Sequence, residues 1–222
     1  MNALAAIAGT LPALIRNDES LYEGDLIHYL RVLFFKAQNL NRPYHNFRHM
    51  MHVTWLCHDA CRYYVGTLTP RQMRNVLIAA MFHDFDHSGM FGHDELNIQR
   101  SILGLRKHAL SEDLDHLPAI ERLITATQYP HVIPNEELDL CAQILCDADV
   151  SQGLDTAWIQ QVIFGLAAEW GNNPIEVLKT QEPFLSGLHF FTEWANRRFP
   201  KSSIDAKIQE ANELFALITS PD

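Results

Sequence analysis

The stretch TPRQMRNVLIAAMFHDFDHSG, residues 69–89, combines a clear helix signal with an unusual cluster of polar residues. Thr69 and Pro70 predict a helix start, because threonine caps helices well and proline is tolerated at the first helical position. Apolar residues then recur at steps of three and four from Met73 to Ala80, which is typical of one buried helical face. No stretch of the chain shows the sustained alternation of a half-buried strand, so the sequence predicts an all-α fold.

Three polar residues, His83, Asp84 and His87, continue the buried face of this helix. Burying them without partners would cost several kcal/mol, and the carboxylate would cost most. A divalent cation removes this penalty, because imidazole nitrogens and carboxylate oxygens then become its ligands. The end of the predicted helix is therefore a candidate metal site.

Helix caps and helix breakers divide the rest of the chain into further helices. The predicted helices cover residues 18–39, 44–66, 69–87, 94–110, 118–128, 134–149, 155–170, 174–190 and 203–218. Since a domain has about 150 residues on average, 222 residues without a linker or a repeat predict a single domain over residues 1–222. Within it, we expect helices of residues 1–40 to pack on a metal-binding core over 44–150, and helices of 155–218 to complete the pocket.

Two other predicted helices also carry metal-ligating residue types on an apolar face. In one of them, His45, His49 and His52 share a face with Leu56, and in another the apolar face ends at Asp149. Side chains from facing helices can build a metal site in the core of a helix bundle. The predicted ligand set contains two histidines and two aspartates: His49, His83, Asp84 and Asp149.

The composition restricts the classes of function. The chain contains 47% apolar and 20% charged residues, which excludes disorder, and it has no apolar run of about 20 residues that could span a membrane. Its net charge of −10 opposes binding to nucleic-acid polymers and to anionic membranes. No secretory signal is recognisable over residues 1–15, so we expect a cytoplasmic protein with reduced cysteines.

The four cysteines leave one structural alternative open. Cys57 and Cys61 share a helix face, so they could form a zinc site with Cys141 and Cys146. Zinc ribbons prefer a shorter spacing, and buried free cysteines are common, so packing in the core is the favoured interpretation.

Three motifs resemble those of known hydrolases. FHDFDHSG at residues 82–89 is similar to the His-Asp signature of the HD-domain metal-dependent phosphohydrolases. YHNFRH at residues 44–49, with Val53, resembles the Tyr-His-Asn-x-x-His-x-x-x-Val element of class I 3′,5′-cyclic nucleotide phosphodiesterases. DADV at residues 147–150 resembles the Ala-Asp-Leu element of the same enzymes. The resemblance implies an HD-domain helical bundle, in agreement with the helical periodicity.

The resemblance also implies a role for each motif residue. The ligand set would hold a first metal ion, and Asp84 would bridge to a second one. His45 matches the general acid that protonates the leaving oxygen, and His87 would face the water shell of the second metal. Two divalent ions are therefore the expected cofactors, and zinc, manganese, iron, cobalt and magnesium all stay open as their identity.

Further residues are expected to contact the substrate. Gln181 and Phe184, in the tetrapeptide QEPF, resemble the Gln-x-x-Phe element that clamps a purine in the phosphodiesterases. Asn97 is another candidate for the pocket. The expected partner is a small anionic nucleotide, with a 3′,5′-cyclic nucleotide as the favoured single substrate.

Three alternatives to a cyclic nucleotide phosphodiesterase stay open. The same ligands could serve a nucleoside monophosphate phosphohydrolase, or a catalytically silent module that binds a nucleotide. A diiron oxygenase of the HD type would need more histidines between Asp84 and Asp149, for which His131 is the better candidate and His108 the weaker one. The sequence determines neither the base preference nor the oligomeric state.

Overall fold

Helices make up the regular secondary structure of the residues described by the computed structural model, which are 10–92, 94–129 and 132–220. They are α1 (Leu11–Arg16), α2 (Ile27–Lys36), α3 (Phe47–Tyr63), α4 (Pro70–Phe82), α5 (Asp94–His108), α6 (Leu117–Ala126), α7 (Leu140–Val150), α8 (Gly165–Trp170), α9 (Pro174–Lys179), α10 (Gln181–Ser186), α11 (Glu193–Arg198) and α12 (Lys201–Thr219). Short 3-10 segments lie at Ser111–His116, Asn135–Glu137 and Ser151–Leu154, and a π-helical turn lies at Ile159–Phe164. These residues contain no β-strand, so the predicted single all-α domain is confirmed.

The α4 helix lies at the centre of the fold. Every residue from Met73 to Phe82 is buried, and the helix packs against α3, α6 and α7. Its start is a capping box, in which the Thr69 hydroxyl accepts from the Gln72 N–H and the Gln72 side chain accepts from the Thr69 N–H. Each large aliphatic side chain buried in this way contributes about 2 kcal/mol. Because α4 is buried on every side, its C-terminal end is fixed inside the domain.

The α4 helix ends at Phe82, earlier than the predicted end near residue 87. His83 is its C-cap residue, and Asp84 and His87 lie in the turns that follow. Asp86 has a φ of +60°, a left-handed conformation that aspartate adopts more readily than most residues and that does not continue a helix. A helix end and a turn therefore present the three polar residues, and the predicted continuous helical stripe is wrong beyond His83.

The first predicted helix is also shorter than expected. The prediction over residues 18–39 is correct only from Ile27, where α2 begins. Before it, Asn17 adopts a φ of +58°, and its side-chain amide donates to the carbonyls of Tyr22 and Gly24. This local hydrogen bonding stabilises a turn in place of a helical start.

The C-terminal region contains more and shorter helices than predicted. The predicted helix over 174–190 is two helices, α9 and α10, which meet at Thr180. Pro183 accounts for the break, because it has no N–H to donate to the Lys179 carbonyl. The six-residue helix α11 was not predicted, because it is too short for a periodic pattern.

The longest helix, α12, has 19 residues, and no helix in the described ranges combines the length and apolar character of a membrane span.

The helices enclose two hydrophobic clusters. The larger one is built mainly from α1 to α7, and the smaller one surrounds Trp158 and includes α8, α9 and part of α12. A cavity lies between them, because Ile98 and Cys146 of the larger cluster and Val162 and Leu166 of the smaller one line it together. The functional residues that the sequence singles out are found around this cavity.

A buried ion pair lies in the part of the fold where the N-terminal segment meets α4. Arg74 donates from Nε to Asp113 Oδ1 at 2.8 Å and from Nη2 to Asp113 Oδ2 at 2.7 Å, and both side chains are almost fully buried. The Tyr29 hydroxyl donates to the same carboxylate at 2.6 Å. Charge-assisted, bidentate hydrogen bonds of this kind satisfy both buried charges.

Candidate metal centre

The four side chains of the predicted ligand set converge on one point. His49 Nε2 lies 3.2 Å from His83 Nε2, 3.2 Å from Asp84 Oδ2 and 3.0 Å from Asp149 Oδ1. His83 Nε2 lies 3.3 Å from Asp84 Oδ2 and 3.5 Å from Asp149 Oδ1. Three segments that are distant in the chain, namely α3, the end of α4 and α7, thus bring two ring nitrogens and two carboxylates together.

The far side of each imidazole is held by a hydrogen-bond acceptor. His83 Nδ1 lies 2.8 Å from the Ala80 carbonyl, and His49 Nδ1 lies 2.6 Å from Gln152 Oε1. A carbonyl oxygen can only accept, so each Nδ1 carries the proton and each Nε2 of the neutral ring carries a lone pair. Both lone pairs therefore face the same point, which is the arrangement that orients histidines toward a metal.

The carboxylate of Asp84 also faces the point at which the two Nε2 atoms meet. Its Oδ2 atom is buried, and it makes no hydrogen bond within the described residues although two ring nitrogens lie near it. A buried, unpaired carboxylate oxygen costs several kcal/mol unless a cation compensates it. Two imidazole nitrogens and two carboxylates fit zinc, manganese, iron or cobalt, whereas magnesium prefers oxygen ligands.

The electrostatics of the site favour a positive charge at its centre. Burial lowers the pKa of His49, but the carboxylates of Asp149 and Asp84 outweigh burial and raise it to about 9. Burial likewise lowers the pKa of His83, and the same two carboxylates raise it well above its usual value. Burial raises the pKa of both aspartates, and the neighbouring imidazoles hold it well below the usual range. The site therefore takes up protons unless a metal ion replaces them.

Local structure explains how the ligands are positioned. The Asn46 side chain accepts from the N–H groups of Arg48 and His49, which starts α3 at Phe47 and places His49 in its first turn. The Ser101 hydroxyl of α5 donates to the carbonyl of His83 at 2.7 Å. The ligands are thus held at helix ends, where side chains from three elements can meet.

His45 pairs with a carboxylate that the sequence analysis did not identify. His45 Nδ1 lies 2.6 Å from Glu169 Oε1, and Glu169 Oε2 accepts from the N–H groups of Tyr44 and His45 at 2.8 and 3.1 Å. The Glu169 side chain is fully buried. Burial raises the pKa of Glu169, but the hydrogen bonds from His45 and from the two N–H groups outweigh it and lower the pKa. A buried anion therefore holds the His45 ring at the edge of the cavity.

The helical spacing of the sequence also marks Glu169 as an unusual residue. Val162 and Leu166 line the cavity, and Glu169 follows them at the helical steps of four and three. A polar residue thus follows an apolar face at helical spacing, as His83 does at the end of α4. Gln152, the partner of His49, gives no such signal, because it lies in an irregular 3-10 segment.

His87 and Asn97 act together beside this pair. The His87 ring stacks on the His45 ring with centroids 3.6 Å apart, and burial lowers the pKa of His87 to about 4. Asn97 Nδ2 lies 2.8 Å from His87 Nε2, and Asn97 Oδ1 accepts from the Ser88 N–H and hydroxyl at 2.9 and 2.8 Å. Asn97 lines the cavity as predicted, but its polar atoms hold His87 and the turn at Ser88.

His45, His87 and Glu169 also lie close enough to form a second group of potential ligands. The shortest contact in this group is between His45 and Glu169, and His87 Nδ1 lies 3.8 Å from Glu169 Oε1. The Gly89 N–H donates to His87 Nδ1 at 3.0 Å. Because that nitrogen already accepts a hydrogen bond, we interpret the group as an imidazole pair held by a carboxylate.

The cavity beside the ligand set has a volume of about 620 Å³, a size suited to a small ligand. Its wall includes the ligand set and His45, the acidic residue Asp94, and several aromatic residues: Tyr44, Phe91, Tyr129, Trp170 and Phe184. Among the described residues that line it, none is lysine or arginine. The cavity therefore combines an apolar and aromatic wall with the carboxylates and imidazoles of the candidate metal centre.

Gln181 and Phe184 line the same cavity, on α10. Gln181 is buried, and its Nε2 donates to the Val177 carbonyl at 3.2 Å, which leaves Oε1 without a hydrogen bond within the described residues. The Phe184 ring is 43% exposed. The accessible Phe184 side chain offers a face on which a planar group can stack.

Other predicted residues do not join this site. His131 lies outside the described residues. His108 lines a different cavity, with Lys36 and Lys107. The four cysteines are buried and free, burial raises the pKa of each thiol, and none belongs to a potential metal-ligand group among the described residues. The structure thus supports packing, and not a zinc site, as the role of the cysteines.

A comparison of the chain with models of known protein families finds no match, and a search of curated proteins finds no similar sequence.

Proposed function

We propose that this protein is a metal-dependent phosphohydrolase that cleaves a phosphodiester of a small nucleotide, with a 3′,5′-cyclic nucleotide as the leading substrate. The observation that carries the proposal is the convergence of the His49 and His83 lone pairs on the Asp84 and Asp149 carboxylates beside a cavity. This donor set would hold one divalent cation, and Asp84 would share a second. Such ions supply Lewis-acid activation of the phosphoryl group and of an attacking water.

His45 is the proposed general acid. It lines the cavity, outside the ligand set, so it can reach a leaving oxygen while the phosphate is held at the metal site. Glu169 accepts from its Nδ1, which leaves Nε2 to carry the proton to the departing oxygen. The His87 ring stacks on one face of the His45 ring and limits its movement.

The charges of the cavity favour a phosphodiester over a phosphomonoester. Asp84, Asp94 and Asp149 line the cavity, and no lysine or arginine of the described residues does. A phosphodiester has one negative charge, whereas a nucleoside monophosphate has close to two at pH 7, for which an arginine clamp is the usual partner. Two divalent ions would neutralise the three carboxylates together with the single charge of a phosphodiester. A phosphomonoester dianion would leave a net negative charge in the cavity.

The remaining wall of the cavity suits a nucleobase. Gln181 lines the cavity and its Oε1 has no hydrogen bond within the described residues, so a rotation of this amide toward the cavity would let it accept from a ring N–H or an exocyclic amine, while Phe184 can stack on the base. The phosphate would then bind at the candidate metal centre and the base at Gln181, both of which line the cavity.

The test is hydrolysis by the purified protein loaded with manganese, zinc, cobalt or iron. We expect turnover of cyclic mononucleotides and of an aryl phosphodiester, and at least tenfold lower kcat/KM for nucleoside monophosphates. Failure to hydrolyse any of these with any metal would remove the proposal. Two bound irons with oxygen-dependent turnover would identify the diiron oxygenase, and nucleotide binding without turnover would identify a silent module.

A further inference from the structure

Asn39 is a buried residue between α2 and α3, and it contacts both functional segments of the site. Its side chain is 1% exposed. Its Nδ2 donates to the His45 carbonyl at 2.8 Å and to the Asp84 carbonyl at 2.7 Å. Its Oδ1 accepts from the Asp86 N–H at 3.0 Å. Both amide hydrogens and the carbonyl oxygen of one side chain are therefore used on the segments that carry His45 and Asp84.

These two segments belong to different elements. His45 precedes α3, and Asp84 follows α4, so neither position is fixed by the helix hydrogen bonds. Around Asn39, Gln38 N–H donates to Asp86 Oδ1 at 2.7 Å and Arg42 Nε donates to the His87 carbonyl at 2.8 Å. Gln38, Asn39 and Arg42 thus all hydrogen-bond to the turn after α4. Of these three residues, Asn39 is the one whose side-chain hydrogen bonds also reach His45.

We propose that Asn39 is a positioning residue that sets the place of His45 relative to the metal ligand Asp84. The proposal rests on the proposed function, in which His45 protonates the leaving oxygen and Asp84 binds the metal. A general acid must lie within hydrogen-bond reach of the oxygen it protonates, and a displacement of 1 Å can cost about a hundredfold in rate. Asn39 acts through the two backbone carbonyls and does not line the cavity.

The chemistry of the contact requires an amide. An aspartate at position 39 would keep the acceptor for the Asp86 N–H but would put a carboxylate oxygen against the carbonyls of His45 and Asp84. An alanine would remove all three hydrogen bonds, which leaves the His45 carbonyl without its Asn39 partner and the Asp84 carbonyl with only the His87 N–H among the described residues. Both changes loosen the link between the two segments without changing any group in the cavity.

The test compares two substrates with different leaving groups. An aryl phosphodiester with a good leaving group needs little protonation, whereas a cyclic nucleotide with a sugar alkoxide leaving group needs the general acid. At saturating metal, we expect Asn39→Ala and Asn39→Asp to lower kcat on the cyclic nucleotide by about 10- to 100-fold and on the aryl ester less than about threefold. The bound metal per chain should stay at the wild-type value.

Asn17 provides the matched control. It also holds a turn with its side-chain amide, by donating to the carbonyls of Tyr22 and Gly24, but it lies outside the site. We expect Asn17→Ala to lower the melting temperature and to leave the ratio of the two kcat values unchanged. His45→Ala serves as the reference for complete loss of the acid and should show the largest change in that ratio.

The outcomes separate the inference from the proposed function. Equal losses on both substrates, an unchanged ratio, or loss of metal from the Asn39 variants would overturn the positioning role. If Asn39→Asp does not fold, Asn39→Ala and the milder Asn39→Ser, which keeps one donor, decide the question by the same ratio. Absence of metal binding or turnover in the wild-type protein would instead contradict the proposed function.

Discussion

His49 Nε2 lies 3.2 Å from His83 Nε2, although the two residues are 34 positions apart in the chain and belong to different helices. In each ring the opposite nitrogen, Nδ1, faces an oxygen acceptor. Two lone pairs at this distance repel each other unless a proton or a metal ion lies between them. Because two carboxylates face the same point, a proton or a metal ion at this point would be stabilised, and the four side chains could hold a metal ion.

Asp149 and Asp147 should have opposite effects on metal binding and stability. Asp149 faces the two imidazoles, so Asp149→Asn should abolish metal retention with little loss of stability in the metal-free protein. Asp147 accepts from the N–H groups of Phe191 and Thr192 and from the Thr192 hydroxyl. Asp147→Asn should therefore keep the metal but lower the free energy of unfolding by about 2–4 kcal/mol. Metal analysis and denaturant unfolding check both, and equal metal loss in both variants would contradict the assignment.

Metal binding should release protons. The carboxylates raise the pKa of His49 to about 9, so at pH 7 the metal-free site holds a proton that the metal must displace. The affinity for the metal should therefore rise with pH up to about 9 and fall at lower pH. Calorimetry in buffers of different ionisation enthalpy should show at least about one proton released per ion at pH 7. No proton release would contradict the assigned charge state.

His45 should contribute to turnover and not to metal binding. It lies outside the four converging side chains, and Glu169 holds its ring. We expect His45→Ala to keep the metal and to lower kcat on a cyclic nucleotide by about a hundredfold or more. His189→Ala, at an exposed position, is the matched control and should behave as wild type. Full activity of His45→Ala on an unactivated ester would exclude the acid role.

Gln181 should affect the recognition of the base. Its Oε1 atom is buried in the cavity wall without a hydrogen bond among the described residues. We expect Gln181→Leu to raise KM for a cyclic nucleotide about tenfold with little change in kcat, because one hydrogen bond to the base is lost. Glu182→Ala, at the exposed neighbour, is the control. An unchanged KM in Gln181→Leu would show that this amide does not contact the substrate.

The Arg74–Asp113 ion pair should stabilise the fold independently of the site. Burial raises the pKa of Asp113, but the hydrogen bonds from Arg74 and Tyr29 outweigh burial and lower it. The pKa of Asp113 in the folded protein therefore lies below its value in the unfolded chain. The contribution is then present above about pH 4 and is lost as the pH falls through the folded pKa. Asp113→Asn should lower the free energy of unfolding by about 3–5 kcal/mol near pH 7 while metal content stays unchanged.

The exposed pair Lys201–Asp205 provides the control for this prediction. Its atoms lie 3.0 Å apart on the surface of α12, where solvent screens the charges. Asp205→Ala should leave the unfolding midpoint nearly unchanged. A similar loss of unfolding free energy in Asp113→Asn and Asp205→Ala would show that the buried Arg74–Asp113 pair stabilises the fold no more than an exposed pair.

Local helical periodicity was sufficient to identify some residues of the site from the sequence. His49 and Asp149 interrupt apolar faces at helical spacing, and such interruptions are visible in one segment at a time. Glu169 could have been found by the same signal. Asn39 and Gln152 could not, because they act on backbone carbonyls or on another side chain and have no periodic place of their own. The family resemblance and the function it implies stay predictions.

By itself, the sequence determined the all-α class and the types of residue at the site, because helical periodicity and capping are local properties of the chain. Only the tertiary structure decided that α4 ends at Phe82, that Glu169 pairs with His45, and that the described residues lining the cavity beside the ligand set include no lysine or arginine. These features depend on contacts between segments distant in the chain, such as the contact between His45 and Glu169, which are 124 positions apart. The fit of whole helices sets such contacts, so local sequence can mark Glu169 as a polar residue on an apolar face but cannot identify His45 as its partner.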